Sequence, residues 1–482
     1  MFRVWIGKHK FLLLLAVLFL LLRLPSLFEP YWYGDEGVYL TIGQALNHGE
    51  VLYQQIHDNK PPTLYYLAAL GQTVFGFRLL LMLWMIPTIY IFYLLSKKFL
   101  SLKLAQTSTL LFLILTSIPL VEGNIANAEI FMLLPTLLGV YFAFTASKYF
   151  HYLIAGFLLG FAFTIKIPVL FEFLFLAFWL VIHQYKKLKL LIVNLFYFSL
   201  GFTTPIFLFG LYYLISGAFQ QFIVAALLQN FGYLSSWTTG THSSSATSGG
   251  LTIRAAFLIF SFIFLFLLYY KKIISRQLTF ILLWFAATLF GVLLSGRPYP
   301  HYLIQLLPPL SLLIVLLFSL KPLLSKIPIV ICFSILIFSL IKYHFYFYST
   351  YSYYKNYYSY AFKLKPTADY NNYFGSQVNQ IYQLAKIIDD QTTSQDRIFV
   401  WGDHPYLYAL SNRLPTTKYT VAYHIVDFNG YDLTMSQLQA HFPSLIIYYG
   451  NQNRPFPNLD NFIIRYYSLI DTVGNALVFQ KR

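Results

Sequence analysis

Few residues in this chain are charged, and several of those that are fall at positions where they could do chemistry. Asp35 and Glu36 stand side by side in YWYGDEGVYL, directly after an apolar run, and Lys60 follows in HDNKPP. Glu122 and Glu129 bracket EGNIANAE; Arg297 and His301, with Tyr302 beside it, lie in SGRPYPHY. A carboxylate can take a proton from a hydroxyl, and lysine, arginine or histidine can hold an anion. For any one of these residues, a wet loop that tolerates polar side chains is an equal explanation. Taken together they read as a cavity that accepts an anionic headgroup and activates a nucleophile. Which reading holds depends on the elements that position them.

Those elements are membrane spans. Of 482 residues 58% are hydrophobic and 10% are charged, against roughly a quarter charged in a soluble globular chain. Apolar stretches long enough to cross a bilayer are expected at 11–28, 77–96, 104–120, 130–147, 150–166, 168–184, 189–215, 252–270, 277–295, 302–320 and 327–347. That makes eleven crossings. The basic start and apolar middle of the first stretch resemble a signal peptide, but no small-residue cleavage site follows and Arg23 stands near its end, so a retained helix is expected. Lys8, Lys10, Lys97, Lys98, Lys148, Lys186, Lys187, Lys271, Lys272 and Arg276 all fall on the N-terminal side of this arrangement. By the positive-inside rule the N-terminus is cytoplasmic, and an odd number of crossings exports the C-terminal segment. All the residues that opened this section then map to the outer face. The net charge of +16 is accounted for by short basic loops rather than by nucleic acid.

Residues 1–347 are therefore expected to form a transmembrane domain with outer loops 29–76 and 216–251, and 348–482 a small extracytoplasmic α/β domain. In the first loop TLYYLAALGQTVFG has a mostly apolar face and reads as an interfacial segment. In the second, LSSWTTGTHSSSATSGG reads as a lid or a slack connection. The Tyr-rich run from Tyr343 marks the exit from the bilayer. Beyond it QVNQIYQLAKIIDD has helical spacing, RIFVWG, SLIIYYG and ALVFQKR read as buried strands, and PYLYALSN as a short helix. Cys332 is alone, so no disulfide within the chain is possible.

Other polar residues have plainer explanations. Lys166 in FTIKIPVL is expected to snorkel to the interface, and Glu172 to pair with a neighbouring helix. Asp403 in WGDHP, beside His404, reads as a helix cap. Trp237 and His242 are weak candidates for sugar contact.

The run DEGVYLTIGQALNHGEVLYQQIHDNKPPTLYYLAALGQTVFG resembles the first outer loop of the C-type membrane glycosyltransferases, the GT-C fold. The branch it resembles holds the bacterial aminoarabinose transferases of lipid A and the protein O-mannosyltransferases. NAEIFMLLP is similar to the family's second-loop element, GRPYPHYLIQLLPPLSLL to the segment entering a late helix, and DRIFVWGDHPYLYALSNRLPTTKY to the exported segment of bacterial members. The resemblance implies a polytopic helical enzyme that moves a sugar from a polyprenyl-phosphate donor to a lipid, glycan or protein acceptor at the outer face of the inner membrane. It implies Asp35 as catalytic carboxylate, Glu36 as a supporting acid and Lys60 as a ligand of the donor phosphate. Glu129 would be the second-loop acid, with Arg297, His301 and Tyr302 near the donor phosphate or sugar. Asn59 stands where aminoarabinose transferases have an acidic residue before the lysine, a departure that counts against a metal contact there; a divalent cation stays open as cofactor, and none is assigned.

Loss of a lipid phosphate needs no general acid, so one carboxylate suffices; the resemblance implies attack from the opposite face, which would invert the anomeric centre. A transporter or flippase of a lipid-linked sugar is the alternative. It would be expected to gather its ionisable residues near the midplane in broken, repeated helices, and neither feature is evident here.

Overall fold

The computed structural model describes residues 2–230, 249–321, 323–450 and 454–482. Among the described residues eight helices are long and apolar enough to cross a membrane: Lys10–Leu27, Val74–Phe99, Ala128–Thr145, Ile167–Gln184, Leu188–Ile215, Gly250–Tyr270, Pro300–Ser319 and Leu324–Lys342. Shorter apolar helices include Leu102–Leu115, Tyr149–Phe163 and Arg276–Val292. Each of the eleven expected stretches coincides with one of these helices. The second outer loop, with Trp237 and His242, lies largely outside the described residues.

The chain divides into two compact units. The first comprises 1–24, 81–211 and 228–350 and is built from these helices. Lipid is as apolar as a leucine side chain, so helices in a bilayer gain from close backbone approach rather than from burying apolar surface. Helices Tyr149–Phe163 and Leu188–Ile215 show how. A Cβ at Gly156 would collide with the Phe198 carbonyl, one at Gly160 with the Phe202 carbonyl, and one at Gly201 with the Leu153 carbonyl. Only glycine permits this crossing.

The second unit comprises 25–80, 212–227 and 351–482. Its sheet has the order β2-β1-β3-β5-β4, with β1 Arg397–Trp401, β2 Leu414–Pro415, β3 Leu445–Tyr449, β4 Tyr467–Val473 and β5 Ala476–Lys481. β1 runs parallel to β2 and β3, and β5 antiparallel to β3 and β4. The strands expected from sequence are β1, β3 and β5; β4 was not expected. It pairs with β5 across a tight turn in which Gly474 takes φ +57. A core of Phe399, Trp401, Ile446, Leu459 and Phe462 lies between the sheet and its helices.

In the same unit helix Gly34–Asn47 packs on Thr63–Gly71 and on Tyr406–Ser411. The approach is close: a Cβ at Gly43 would lie 2.6 Å from the Ala69 nitrogen, and one at Gly37 2.9 Å from that of Tyr406. Thr63–Gly71, in the segment expected at the membrane interface, is buried over most of its length, while Leu70 and Phe75 of that segment stay exposed.

Candidate active site

Helix Gly34–Asn47 carries Asp35 and Glu36 in its first turn, where the helix dipole favours negative charge. Successive helical residues point about 100° apart, so the two carboxylates face different surroundings. Asp35 is one-third exposed. Its Oδ2 accepts a 3.0 Å hydrogen bond from the hydroxyl of Tyr39, one turn further along the same face. Lys60 Nζ lies 3.6 Å from Asp35 Oδ2, 3.8 Å from Asp58 Oδ2 and 4.9 Å from the centre of the Tyr39 ring.

Asp58, beneath Lys60, is buried. It accepts from the Tyr65 hydroxyl at 2.7 Å and from the Asn59 N–H at 2.7 Å. Burial alone would raise its pKa, but Lys60, His424 and the bond from Tyr65 outweigh it, and the carboxyl stays below its usual range. His424 Nε2 is 3.6 Å from Asp58 Oδ1, and burial lowers the imidazole's own pKa. The Lys60 carbonyl accepts from the Tyr53 hydroxyl at 2.7 Å, which fixes the loop.

Glu36 points away from this group. It is buried and paired with Arg78, whose Nε and Nη2 donate to its two oxygens at 3.1 and 2.7 Å. Nη1 of Arg78 donates to the Glu29 and Ser26 carbonyls, so the fork ties three segments together.

The first unit has its own cluster. Lys166 Nζ pairs with Glu129 Oε1 at 2.7 Å and lies 5.2 Å from the centre of the Tyr302 ring. Lys166, expected to snorkel, therefore turns inward to a buried carboxylate. His301 Nδ1 is 2.5 Å from Glu122 Oε2, and its Nε2 is 3.9 Å from Glu129 Oε1. Glu122 reaches this position from a left-handed backbone, φ +59. Glu129, His301 and Tyr302 are thus brought together. Arg297 lies half-buried just after helix Arg276–Val292, its N–H donating to Ser295 Oγ. Glu172 accepts from Gln305 Nε2 at 2.7 Å, the neighbour its sequence position asked for.

Asp58, Tyr39, Tyr65 and Arg78 were not among the residues singled out in the sequence. Asp58 stands two before Lys60, Tyr39 four after Asp35, and Arg78 is a lone cation opening an apolar helix; each is a legible signal. Asp403 does act at a helix start, though not that of Tyr406–Ser411. It accepts from the Tyr423 N–H at 3.1 Å and pairs with Arg454 at 2.6 Å.

Among the described residues no three His, Cys, Asp or Glu side chains are placed to share a metal ion. Between Asp35 and Asp58 the cation is the ammonium of Lys60. This donor set does not fit a divalent ion.

Two crystal structures of ArnT from Cupriavidus metallidurans, one bound to undecaprenyl phosphate and one in the apo state, match this chain over 98% of its length and 98% of theirs. Both have a TM-score of 0.57, at 13% and 12% identity. This chain has the GT-C fold. At that identity the likeness is one of architecture: a multi-pass helical membrane protein ending in a small sheet domain. The oligosaccharyltransferase AglB from Archaeoglobus fulgidus matches with a TM-score of 0.46 at 12% identity, over 92% of this chain and 70% of AglB. No protein-family model and no curated protein sequence matches the chain.

Proposed function

We propose that this GT-C chain is a glycosyltransferase of the inner membrane, with its N-terminus cytoplasmic. It moves a sugar from a polyprenyl-phosphate donor to a glycan, lipid or protein acceptor at the outer face. The observation that carries the reading is the Asp35–Lys60–Asp58 group, set on a fold like that of ArnT, which binds undecaprenyl phosphate.

In the proposed reaction Asp35 Oδ1 or Oδ2 takes the proton of the acceptor hydroxyl as its oxygen attacks the anomeric carbon. The bond from that carbon to the phosphate oxygen breaks, and its electron pair leaves with the polyprenyl phosphate. Attack opposite the leaving group inverts the centre. A general base of this kind contributes about 10²–10⁴-fold. The Tyr39 hydroxyl and Lys60 aim the carboxylate, and Lys60 offers its charge to the donor phosphate. Glu36 holds the helix start through Arg78. Glu129, Arg297, His301 and Tyr302 keep the role the resemblance gives them, contact with the donor's phosphate or sugar. No step is assigned to a metal.

The test uses purified protein in liposomes with a labelled polyprenyl-phosphate sugar and a crude envelope extract as acceptor. Transfer of label to the extract is expected. Movement of the donor across the bilayer without transfer would replace this reading with that of a flippase.

A further inference from the structure

Helices Leu133–Thr145, Tyr149–Phe163, Leu170–Gln184 and Arg276–Val292 of the first unit run between two ends. Glu129, Lys166 and the approach to His301 stand at one. The other, a helix length or about 22 Å away, holds Lys148, Lys186, Lys187 and Arg276. There the structure has a cavity of about 720 Å³ that belongs to no part of the site described above.

The rim of this cavity is formed by those four cations, all exposed. Its floor is Tyr152, Trp179 and Asn194, all buried. Among the described residues no Asp or Glu lines it. Arg276 lies over the rings of Phe144 and Trp179, at 5.8 and 5.7 Å, which holds its guanidinium at the mouth. Helices Tyr149–Phe163 and Leu188–Ile215 both begin here with no acidic residue in the first turn, so their positive dipole ends add to the field.

The floor contains an unanswered acceptor. Asn194 Nδ2 donates to Gln184 Oε1 at 2.9 Å, and Gln184 Nε2 donates to the Tyr152 hydroxyl at 3.2 Å. Asn194 Oδ1, on a side chain 3% exposed, has no hydrogen-bond partner. A buried acceptor left without a donor is costly, and a ligand hydroxyl would satisfy it. Leu190 and Val193, also in the lining, are exposed apolar side chains on the helix that enters the bilayer.

We infer that this cavity binds the phosphate headgroup of an anionic, hydroxyl-bearing lipid from the leaflet at that end. The cations take the phosphate, Asn194 the hydroxyl, and Leu190 and Val193 the start of an acyl chain. On the orientation proposed above, that leaflet is the cytoplasmic one.

The test is native mass spectrometry of the full chain released from bilayers of mixed phosphatidylglycerol and phosphatidylcholine. The wild type should retain phosphatidylglycerol in preference. Lys186→Gln with Lys187→Gln, on exposed side chains that spare the fold, should cut that preference about fivefold per charge. Lys97→Gln with Lys98→Gln removes the same charge outside the cavity and should change nothing. Equal loss in both pairs, or no preference in the wild type, would overturn the site. Displacement of the lipid by millimolar inorganic phosphate would overturn the lipid as its ligand; resistance to displacement supports it.

Discussion

Asp35→Asn and Glu36→Gln, made one at a time, separate two carboxylates that are neighbours in sequence and strangers in space. Asn at position 35 keeps the side chain's shape and an acceptor for the Tyr39 hydroxyl, and it leaves Lys60 with Asp58 at 3.8 Å. What is lost is a partly exposed ion pair at 3.6 Å, worth about 0–1 kcal/mol, so unfolding should scarcely move. Turnover should fall by about 10²–10⁴-fold, or about 3–5 kcal/mol of transition-state stabilisation. Gln at position 36 does the opposite. The Arg78 guanidinium, 3% exposed, keeps the Ser26 and Glu29 carbonyls but loses the carboxylate that its Nε and Nη2 grip. Breaking one side of a buried pair costs about 3–5 kcal/mol, so the midpoint of thermal unfolding should drop clearly. Each variant, purified in detergent, is assayed for the initial rate of label transfer and for its unfolding midpoint. The reasoning is refuted if Asp35→Asn turns over like the wild type, or if Glu36→Gln melts with it.

Lys60→Ala should raise the apparent KM for the donor with little change in unfolding. A lowered kcat at unchanged KM would assign Lys60 to positioning Asp35 rather than to the phosphate. In the first unit Glu129→Gln and Lys166→Met should couple by about 1–3 kcal/mol in a double-mutant cycle of unfolding midpoints, because the carboxylate is buried and the ammonium 2.7 Å away; additive effects would show a pair that contributes nothing. Burial pushes the His404 imidazole down to about 4 from its ordinary 6.5. The unfolded chain then binds the proton first, so this stability is present above pH 6.5 and is lost as pH falls towards 4. The loss amounts to about 3 kcal/mol. Unfolding midpoints between pH 7 and 4 should slope accordingly in the wild type and flatten in His404→Gln; equal slopes would reject the assignment.

The helices were legible because a span must be apolar along its length whatever its neighbours, so each expected stretch lies on a helix. β1 and β3 were legible for a similar reason: Ile398–Trp401 and Leu445–Ile447 are continuous buried runs. β4 was not, because its interior residues Ser468–Thr472 are exposed and the strand follows from pairing with β5 rather than from burial. At the site the types of residue were readable and their partners were not. Nothing in DEG says that Glu36 meets an arginine 42 positions on, nor does FTIKIPVL say that Lys166 turns to Glu129. Both pairings depend on which helices pack together, and sequence periodicity carries only which face is apolar.

Of the 17 acidic residues in the chain the first unit holds three, Glu122, Glu129 and Glu172, each answered within the unit by His301, Lys166 or Gln305. The cations at the far end therefore have no carboxylate of their own unit to meet. Lys97 and Lys98 share that sign but sit at the tip of one helix, over the rings of Tyr93 and Tyr141 and outside the cavity lining. Lys148, Lys186 and Lys187 differ because the start of helix Tyr149–Phe163 is held against helix Leu188–Ile215: Tyr149 lies 4.6 Å from Tyr197 ring to ring, and glycines 156, 160 and 201 let the backbones close. A concavity with low-dielectric walls concentrates the field that separate loops would dissipate. It follows that the cavity can be opened without touching a charge. In Gly156→Leu the new side chain meets the Phe198 carbonyl, and the two helices must part at a cost of about 1–3 kcal/mol in overpacking. Retention of phosphatidylglycerol should then fall as far as in the double lysine variant although all four cations remain. Undiminished retention in a variant whose unfolding midpoint has dropped would mean that the charges act singly, as ordinary interfacial anchors.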